Sequence, residues 1–411
     1  MNYREAIAWL FGTQLFGIKL GLEGPRRLLR ESQAFPRHGV VVIHVAGTNG
    51  KGSTCAMIDS IARACGRRCG LFTSPHLIDF RERIMVSGVE IPEEATAAGL
   101  TELRALCEQM DPHPTFFEIA LALAMRWFRQ ADCELIILET GMGGRYDATT
   151  AVPADVCAIT PIGLDHTQYL GETLAEIALE KAGIFVPGQP AVSAPQEPAA
   201  RTVLEQEANE VRTPLEFIDE PLLGYPIALP GPHQQWNAAL AVAALHRAKI
   251  PLNVDSLQYG LRHVHWPGRF ELLPAAAVAG ASQPVVLDGA HNPHAAAVLA
   301  ATWQQVFPAQ PATLVFSAVA AKDIAGILAH LAPLAAEIVL CPVATPRAVP
   351  GDELAAALPP NAPPHRVFPS FQTAFTAALA TDRPVLVAGS LFLVGEARAY
   401  LTGGEFQSST Q

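Results

Sequence analysis

Residues 40–54 read VVVIHVAGTNGKGST, and the segment joins three features in a fixed order. A β-branched run of strand length comes first, a glycine-rich loop follows, and residues of a helical pattern come after it. Gly47, Gly50 and Gly52 allow the backbone to take positive φ and to approach an anion closely. Amides of the loop and of the helix N-terminus would then point at a phosphate. The segment therefore predicts a phosphate-binding loop.

The polar residues of this loop depart from the common pattern G-x-x-x-x-G-K-[ST], because Gly52 separates Lys51 from Ser53. Lys51 is long enough to reach terminal phosphate oxygens, and the hydroxyl of Ser53 or Thr54 suits phosphate or a metal. The alternative is a tight turn that carries an incidental lysine. The strand before the loop and the helix after it favour the phosphate loop.

Short apolar runs alternate with helical patterns along the rest of the chain. Runs of strand length cover residues 40–45, 68–73, 134–138, 156–162, 285–287, 313–316, 338–341 and 385–388. Alternation of this kind predicts an α/β fold whose sheets are mostly parallel and covered by helices. We expect an N-terminal domain that resembles phosphate-loop NTPases and a smaller, Rossmann-like C-terminal domain.

The boundary between these two domains is expected in the small-residue stretch 274–284 (PAAAVAGASQP), which looks like a linker. We therefore place the first α/β domain at 1–278 and a second α/β domain at 279–411. Residues 187–231 are rich in Pro, Glu and Gln, and predict irregular or small-sheet structure.

Composition supports two domains and narrows the class of protein. The chain has 411 residues, and a chain of this length is longer than one hydrophobic core usually serves. Half of its residues, 50%, are hydrophobic. Net charge is -11 and there is no long basic run, so a nucleic-acid partner is not expected. No apolar run is long enough for a membrane span. The seven cysteines include no C-x-x-C pair and predict reduced thiols in a cytoplasmic protein.

Polar residues follow the predicted strands at the points where these end. Ser74 follows the second strand, Glu139 the third, and Asp165 and His166 the fourth. Carboxyl ends of parallel strands meet at one edge, where ligands bind in open α/β sheets. A hydroxyl, a carboxylate and an imidazole beside a phosphate loop predict a magnesium site.

Each of these residues also has a structural interpretation. Ser74 could cap a helix, Glu139 could pair with Arg145, and His166 could be an ordinary hydrogen-bonded histidine. Asp165 could orient a neighbour. Lys181 lies among apolar residues of a predicted helix, where a surface lysine with a buried stem is the simpler interpretation.

At these residues the chain resembles the bacterial folylpolyglutamate synthase/dihydrofolate synthase family of the Mur ligase superfamily. The matching motifs run in family order along nearly the whole chain: 16–22 (FGIKLGL), 44–54 (HVAGTNGKGST), 73–76 (TSPH), 139–149 (ETGMGGRYDAT), 163–167 (GLDHT), 180–184 (EKAGI), 231–237 (GPHQQWN), 266–271 (WPGRFE), 288–293 (DGAHNP) and 389–398 (GSLFLVGEAR). One departure is Thr150, where the family commonly has Asn.

The resemblance implies roles for individual residues. ATP would be bound by Asn49, Gly50, Lys51, Gly52, Ser53, Asn237, Arg269, Asp288 and His291. Mg²⁺ would be held by Ser74, Glu139, His166 and Lys181, the last as a carbamate. The pterin end of a folate would lie near Phe116, Phe117, Glu118, Tyr146, Asp147 and Ala148. Lys51, Lys181 and His166 would be the catalytic residues.

Several of these residues have simpler explanations on the sequence alone. Asn237 could begin a helix and Arg269 could form a surface ion pair. Asp288 and His291 could merely shape a turn after a strand. Two adjacent phenylalanines such as Phe116 and Phe117 belong more often to a core than to a binding site.

The implied activity is ATP-dependent addition of L-glutamate to a folate through an acyl phosphate, with ADP and phosphate released. Whether dihydropteroate is a second acceptor stays open. The partners are small molecules and the enzyme is expected to act as a monomer. Three alternatives are a Mur-type cell-wall amino-acid ligase, a phosphate-loop kinase, and a binding module that ATP regulates without turnover. The folate motifs argue against the first, and the motif at 288–293 argues against the second. Turnover that depends on folate and glutamate would exclude the third.

Overall fold

The computed structural model describes residues 1–17, 21–404 and 406–407. Residues 18–20, within the 16–22 motif, lie outside that description. The chain forms two compact units. The first comprises residues 1–76, 80–228 and 235–264, and the second comprises residues 77–79, 229–234 and 265–411. The expectation of two α/β folding units is thus confirmed.

The first unit is built on an eight-stranded sheet with the order β4-β3-β2-β5-β1-β6-β7-β8. Its strands are β1 Val41–Ala46, β2 Cys69–Phe72, β3 Ile84–Val86, β4 Val89–Glu90, β5 Leu135–Glu139, β6 Val156–Ile159, β7 Ala191–Ser193 and β8 Leu215–Phe217. Only the β2–β3 and β3–β4 pairs are antiparallel. The central strands are buried throughout, as expected for a parallel sheet covered on both faces.

Ten α-helices accompany this sheet in the described part of the chain. They are α1 Tyr3–Gly12, α2 Glu23–Glu31, α3 Lys51–Ala64, α4 Glu93–Cys107, α5 Phe116–Gln130, α6 Thr167–Leu170, α7 Leu174–Ala182, α8 Pro198–Val211, α9 His233–Arg247 and α10 Val254–Arg262. Helix α3 packs on β1, β2 and β5, and α10 packs on α3. The division between the units falls in the first turn of α9.

Alternating residues of the second unit's sheet face two separate apolar cores. The sheet has the order β13-β12-β11-β14-β10-β9, and only β9 is antiparallel. On β11, Leu314 and Phe316 lie in one core, while Val315 between them lies in the other. This period of two is what strand geometry requires when helices cover both faces.

The elements of this unit follow in chain order. They are β9 Glu271–Leu273, β10 Val285–Leu287, α11 Pro293–Val306, β11 Ala312–Phe316, α12 Ile324–Leu331, β12 Ala335–Leu340, α13 Gly351–Ala356, β13 His365–Val367, α14 Phe371–Leu379, β14 Val385–Ala388 and α15 Leu391–Thr402.

Two expectations about the connecting segments are wrong. The stretch 274–284 is a loop between β9 and β10, which pair with each other, so it is no linker. The units divide between Val264 and His265, before the expected boundary after residue 278. Small residues mark a turn-rich loop, but they do not tell whether it joins two domains. Residues 187–231 contain the short strands β7 and β8, as expected, but also a regular helix, α8, because Pro198 begins it and Leu204 and Ala208 bury one face.

All seven cysteines are unpaired, and six of them are buried, as expected for reduced thiols. Among the described residues, no helix combines the length and apolar character that crossing a membrane requires.

Candidate active site

The glycine loop after β1 has the form that phosphate binding requires. Gly47 and Gly50 have φ of +142° and +89°, and α3 begins at Lys51. A Cβ on Gly47 would lie 1.8 Å from the Thr160 hydroxyl oxygen, so no other residue fits there. The amides of Thr48 and Asn49 donate to the carbonyl of Pro161, which ties the loop to the end of β6. The loop therefore lies between a buried strand and a helix, as predicted, and its binding of phosphate stays a prediction.

Lys51 and Asn237 both lie at this loop. The Lys51 ammonium donates to the Thr48 carbonyl across 3.2 Å and is half-buried. Asn237, on α9, is buried, and its Oδ1 would be 2.7 Å from a Cβ on Gly50. The structure thus brings a predicted nucleotide contact from a distant part of the sequence to the phosphate loop. The hydroxyl-bearing residues Ser53 and Thr54 are buried in the first turn of α3.

Glu139 and Ser74 meet at the same edge of the sheet. In the register of β1 and β5, Val45 lies opposite Glu139, which places its carboxylate beside the loop that follows β1. Glu139 is buried and accepts a hydrogen bond from the Ser74 amide at 3.1 Å. Arg145, the partner in the structural interpretation, donates to Glu207 at 2.8 Å.

Lys181 also points to the phosphate loop. Its side chain is 3% exposed, and its Nζ donates to the Gly47 carbonyl at 2.7 Å. Burial, reinforced by the charge of Lys51, lowers the pKa of the Lys181 amine to about 7, while Asp165, Asp147 and Glu180 act in the opposite direction. The alternative of a surface lysine is therefore wrong.

His166 differs from these residues because it is exposed. It has φ of +51° and precedes the single turn of α6. Its amide donates to Oδ1 of Asp165 at 2.8 Å, so Asp165 orients the backbone beside it. The charge of Asp165 also acts on Lys181, which places this loop near the buried amine.

The residues predicted to hold Mg²⁺ fit an oxygen-preferring cation in part. Ser74 and Glu139 offer a hydroxyl and a carboxylate side by side, which suits Mg²⁺. In the described part of the chain, no group of three or more His, Cys, Asp and Glu side chains could hold a metal ion. A second anionic ligand would therefore have to come from another source, and Lys181 is a residue that carbamylation would convert into one.

The residues expected around a pterin divide into accessible and enclosed groups. Phe117 is half-buried beside Gly141, where a Cβ would be 2.8 Å from the Phe117 ring, and Tyr146 is 46% exposed. Phe116, in contrast, is buried against Phe80 with ring centroids 6.1 Å apart. Phe116 is therefore a residue of the apolar core in this structure.

Glu118, Asp147 and Ala148 are buried in the same region. Glu118 forms a capping box with Thr115 at the start of α5. The Asp147 carboxylate accepts hydrogen bonds from the Met142 amide and from Thr149. The side chains of Glu118 and Asp147 thus form hydrogen bonds within the protein itself.

In the second unit, Arg269, Asp288 and His291 lie at the carboxyl end of β10. Asp288 is buried and accepts hydrogen bonds from the amides of Phe270 and Ala290 at 2.7 and 2.8 Å. Burial raises the pKa of Asp288, whereas the charges of Arg269 and His291 lower it. Asp288 thus shapes the turn after β10. Nucleotide binding by these three residues stays a prediction.

Two polar residues buried in the first unit had no role predicted from the sequence. Arg83 is fully buried, which lowers its pKa to about 9, and the negative charge of Glu139 opposes that change. Its Nε donates to Nδ1 of His76 at 2.8 Å. His44 lies inside β1 and contacts Thr149. The sequence shows Arg83 among charged neighbours and His44 within an apolar run, and neither pattern predicts these buried contacts.

Two family models match the chain over these regions. The Mur ligase middle domain matches residues 45–213, and the Mur ligase glutamate ligase domain matches residues 268–391. The first sheet thus lies in a Mur ligase middle domain and the second in a Mur ligase glutamate ligase domain.

Proteins of similar sequence identify the family within the Mur ligases. Dihydrofolate synthase/folylpolyglutamate synthase of Bacillus subtilis is 36% identical, over 84% of this chain and 86% of that protein. The chain belongs to the folylpolyglutamate synthase/dihydrofolate synthase family. A probable bifunctional folylpolyglutamate synthase/dihydropteroate synthase of Haloferax volcanii is 36% identical over 98% of the chain. The chain spans about half the length of that relative and of its Halobacterium salinarum counterpart, 51% and 52%.

Solved structures agree with this family. FolC of E. coli in complex with DHPP and ADP is 32% identical, with a TM-score of 0.87 over 97% of this chain and 98% of that chain. A bifunctional folylpolyglutamate synthase/dihydrofolate synthase with Mn, AMPPNP and L-glutamate bound is 32% identical, with a TM-score of 0.86 over 97% and 98%.

Proposed function

We propose that this protein is an ATP-dependent ligase that joins L-glutamate to a folate and releases ADP and phosphate. The observation that carries the proposal is the convergence of Lys51, Lys181 and Glu139 on one phosphate loop. The names of the relatives support a folate acceptor over the sugar peptide of a cell-wall ligase. The ligands named for solved relatives are a nucleotide, a divalent metal and L-glutamate.

The reaction needs an activated carboxylate, because a carboxylate oxygen is a poor leaving group toward an amine at neutral pH. The acceptor carboxylate attacks the γ-phosphorus of ATP, the bond to ADP breaks, and an acyl phosphate forms. The glutamate amine then attacks the acyl carbon, phosphate leaves, and the amine loses a proton as the amide forms. The protein's tasks are positioning and charge neutralisation.

Lys51 is the residue suited to neutralise charge on the transferring phosphoryl group. Its ammonium lies at the loop whose backbone amides would hold the phosphates. A preorganised cation in a partly buried site is worth more than the same cation in water. When bound by Ser74 and Glu139, Mg²⁺ would supply further neutralisation of the phosphate charge.

For Lys181 we propose carbamylation. The lysine ammonium first loses a proton to become a neutral amine. This amine attacks carbon dioxide and loses a second proton, which gives a carbamate with one negative charge. A pKa of about 7 leaves a substantial neutral fraction of Lys181 at physiological pH. The carbamate would be the additional oxygen ligand beside Ser74 and Glu139, and His166 would contribute from the loop before α6.

Carbamylation can be tested without turnover by NMR in ¹³C-bicarbonate. The wild-type protein should give a carbamate resonance that is absent from a folded Lys181→Met variant. The matched control is Lys249→Met, an exposed lysine after α9, which should keep the resonance. A wild-type spectrum without the resonance would contradict the assignment.

The acceptor would bind along the exposed side of the loop 141–148, with Phe117 and Tyr146 as its apolar contacts. Their partial exposure is the property that a ligand-stacking aromatic needs. Asp147 and Ala148 belong to the same loop and would lie near the acceptor, while Glu118 caps the start of α5. Thr150 donates to the Gly144 carbonyl at 2.7 Å, so it serves the loop structure in place of the usual Asn.

A paired assay tests the proposed function. The enzyme is supplied with ATP, Mg²⁺ and L-glutamate, and with either a reduced folate or dihydropteroate, and the products are identified by mass. Addition of one glutamate residue to the folate, with one ADP formed per bond, is the expected result. ATP hydrolysis without glutamate incorporation into either acceptor would contradict the proposal. Product from dihydropteroate would identify the second activity.

A further inference from the structure

Three buried side chains form a hydrogen-bonded series that the reaction itself does not use. Nε2 of His44 lies 2.7 Å from the hydroxyl oxygen of Thr149, and that hydroxyl lies 2.5 Å from Oδ1 of Asp147. The Thr149 amide donates to the same Oδ1 at 3.0 Å. His44 and Thr149 are at most 1% exposed, so no solvent competes for these bonds.

The direction of each hydrogen bond follows from the number of protons. The Asp147 carboxylate receives donors on both oxygens, from Thr149 and from the Met142 amide at 2.9 Å, so it acts as an acceptor. Thr149 has one hydroxyl proton and gives it to Asp147. The Thr149 oxygen must then accept from His44, which requires a proton on Nε2 of the imidazole. Burial lowers the pKa of His44 to about 3, which agrees with a neutral ring.

Asp147 in turn holds the ends of its own loop together. Its carboxylate joins Met142 near the start of the loop to Thr149 at the end, and its amide donates to the Gly144 carbonyl. This is the loop that carries Tyr146. The conformation of the proposed acceptor surface therefore depends on the orientation of one carboxylate.

We infer that His44 is a positioning residue for the acceptor: through Thr149 it orients Asp147 and so fixes the loop 141–148. The inference rests on the proposed function, because it takes this loop as the place where the acceptor binds. His44 lies on β1, between β5 and β6, and the phosphate loop begins at the end of that strand. One strand therefore supports the phosphate loop by its backbone and the acceptor loop by a side chain.

The test compares variants that remove the donor with variants that keep it. His44→Leu and Thr149→Val each break the series without leaving a large cavity. His44→Gln keeps an N–H near the position of Nε2, and Thr149→Ser keeps the hydroxyl. Loss of one net hydrogen bond corresponds to about a five- to tenfold rise in the KM for the acceptor. The KM for ATP should stay unchanged, and the Gln and Ser variants should restore most of the acceptor affinity.

A second measurement does not depend on activity. Hydrogen exchange of the amides in residues 141–149 should become faster in His44→Leu and Thr149→Val, whereas exchange in residues 47–54 should not change. The double variant should be no worse than Thr149→Val alone, because loss of the Thr149 hydroxyl already removes the connection to His44. Equal rises in both KM values, or unchanged exchange in 141–149, would overturn the inference. A wild-type enzyme without ligase activity would contradict the proposed function, and the exchange data would still test the positioning role.

Discussion

The carboxyl edges of the two parallel sheets hold charged residues in different ways. At the edge of the first sheet, Lys51 and Lys181 both donate to carbonyls of one glycine loop, beside the buried Glu139. At the edge of the second sheet, the carboxylate of Asp288 accepts hydrogen bonds from two backbone amides. The same topological position therefore holds a proposed anion site in one unit and a structural turn in the other.

The difference shows how burial assigns separate roles to two similar side chains. Two ammonium groups at one loop repel each other, and the more deeply buried amine, Lys181, has its pKa lowered to about 7. Lys51, which is only half-buried, is the residue proposed to neutralise phosphate charge, while Lys181 is chemically available as a neutral amine. Asp288 has no comparable freedom, because its oxygens already hold the turn after β10.

The largest expected effect follows from Lys51→Gln. Removing the cation at the phosphate loop should lower kcat about a hundredfold to a thousandfold, because a preorganised charge at the transition state is lost. Thermal unfolding should change little, since the side chain makes one hydrogen bond to its own loop. The matched control is Lys249→Gln, an exposed lysine outside the site, which should keep full activity. Near-normal kcat in a folded Lys51→Gln protein would refute the phosphate-loop assignment.

A smaller effect is expected from Glu139→Gln. The glutamine side chain has the shape of the glutamate and can still accept a hydrogen bond from the Ser74 backbone amide. The substitution removes the negative charge next to the proposed Mg²⁺ site. The Mg²⁺ concentration for half-maximal activity should rise at least about tenfold, as it does when support of a metal ligand is lost. Glu134→Gln, in the exposed position just before β5, is the control. His166→Ala should shift the same titration, and an unchanged curve would remove that residue from the metal site.

Asp288→Asn should act mainly on stability. Asn can accept from one of the two amides, but its NH₂ group faces the other, so one buried amide loses its partner. The expected cost is about 1–3 kcal/mol in the free energy of unfolding of the second unit. Denaturant unfolding followed by the fluorescence of Trp303, which is buried in that unit, would measure it. An unchanged unfolding midpoint would contradict the structural role of Asp288 and weaken the contrast between the two edges.

Features with a strong local pattern could be predicted from the sequence. The phosphate loop, the central strands of both sheets and the association of Ser74 with Glu139 follow from apolar runs, glycines and the geometry of parallel strands. Strand β13 could not be predicted, because its three residues are exposed at the sheet edge and carry no apolar run. Helix α8 was hidden by a composition typical of loops.

Contacts between distant segments could not be predicted from spacing. The placement of Asn237 at Gly50 depends on how α9 packs in the first unit, which no local pattern encodes. The burial of Lys181, the buried Arg83 and the series from His44 to Asp147 are likewise properties of packing. The resemblance to a family implied roles for Asn237 and Lys181, but it implied none for Arg83 or His44.

The central claim is that the phosphate loop activates the acceptor as an acyl phosphate, and an oxygen label tests it most directly. The acceptor folate is prepared with ¹⁸O in the carboxylate that receives glutamate, and one round of ligation is run with unlabelled ATP. The claim predicts that one ¹⁸O per bond appears in inorganic phosphate and that the nucleotide product is ADP, because the labelled oxygen bridges carbon and phosphorus in the intermediate. Efficient amide formation with the label only in the amide, or with label in AMP, would contradict it.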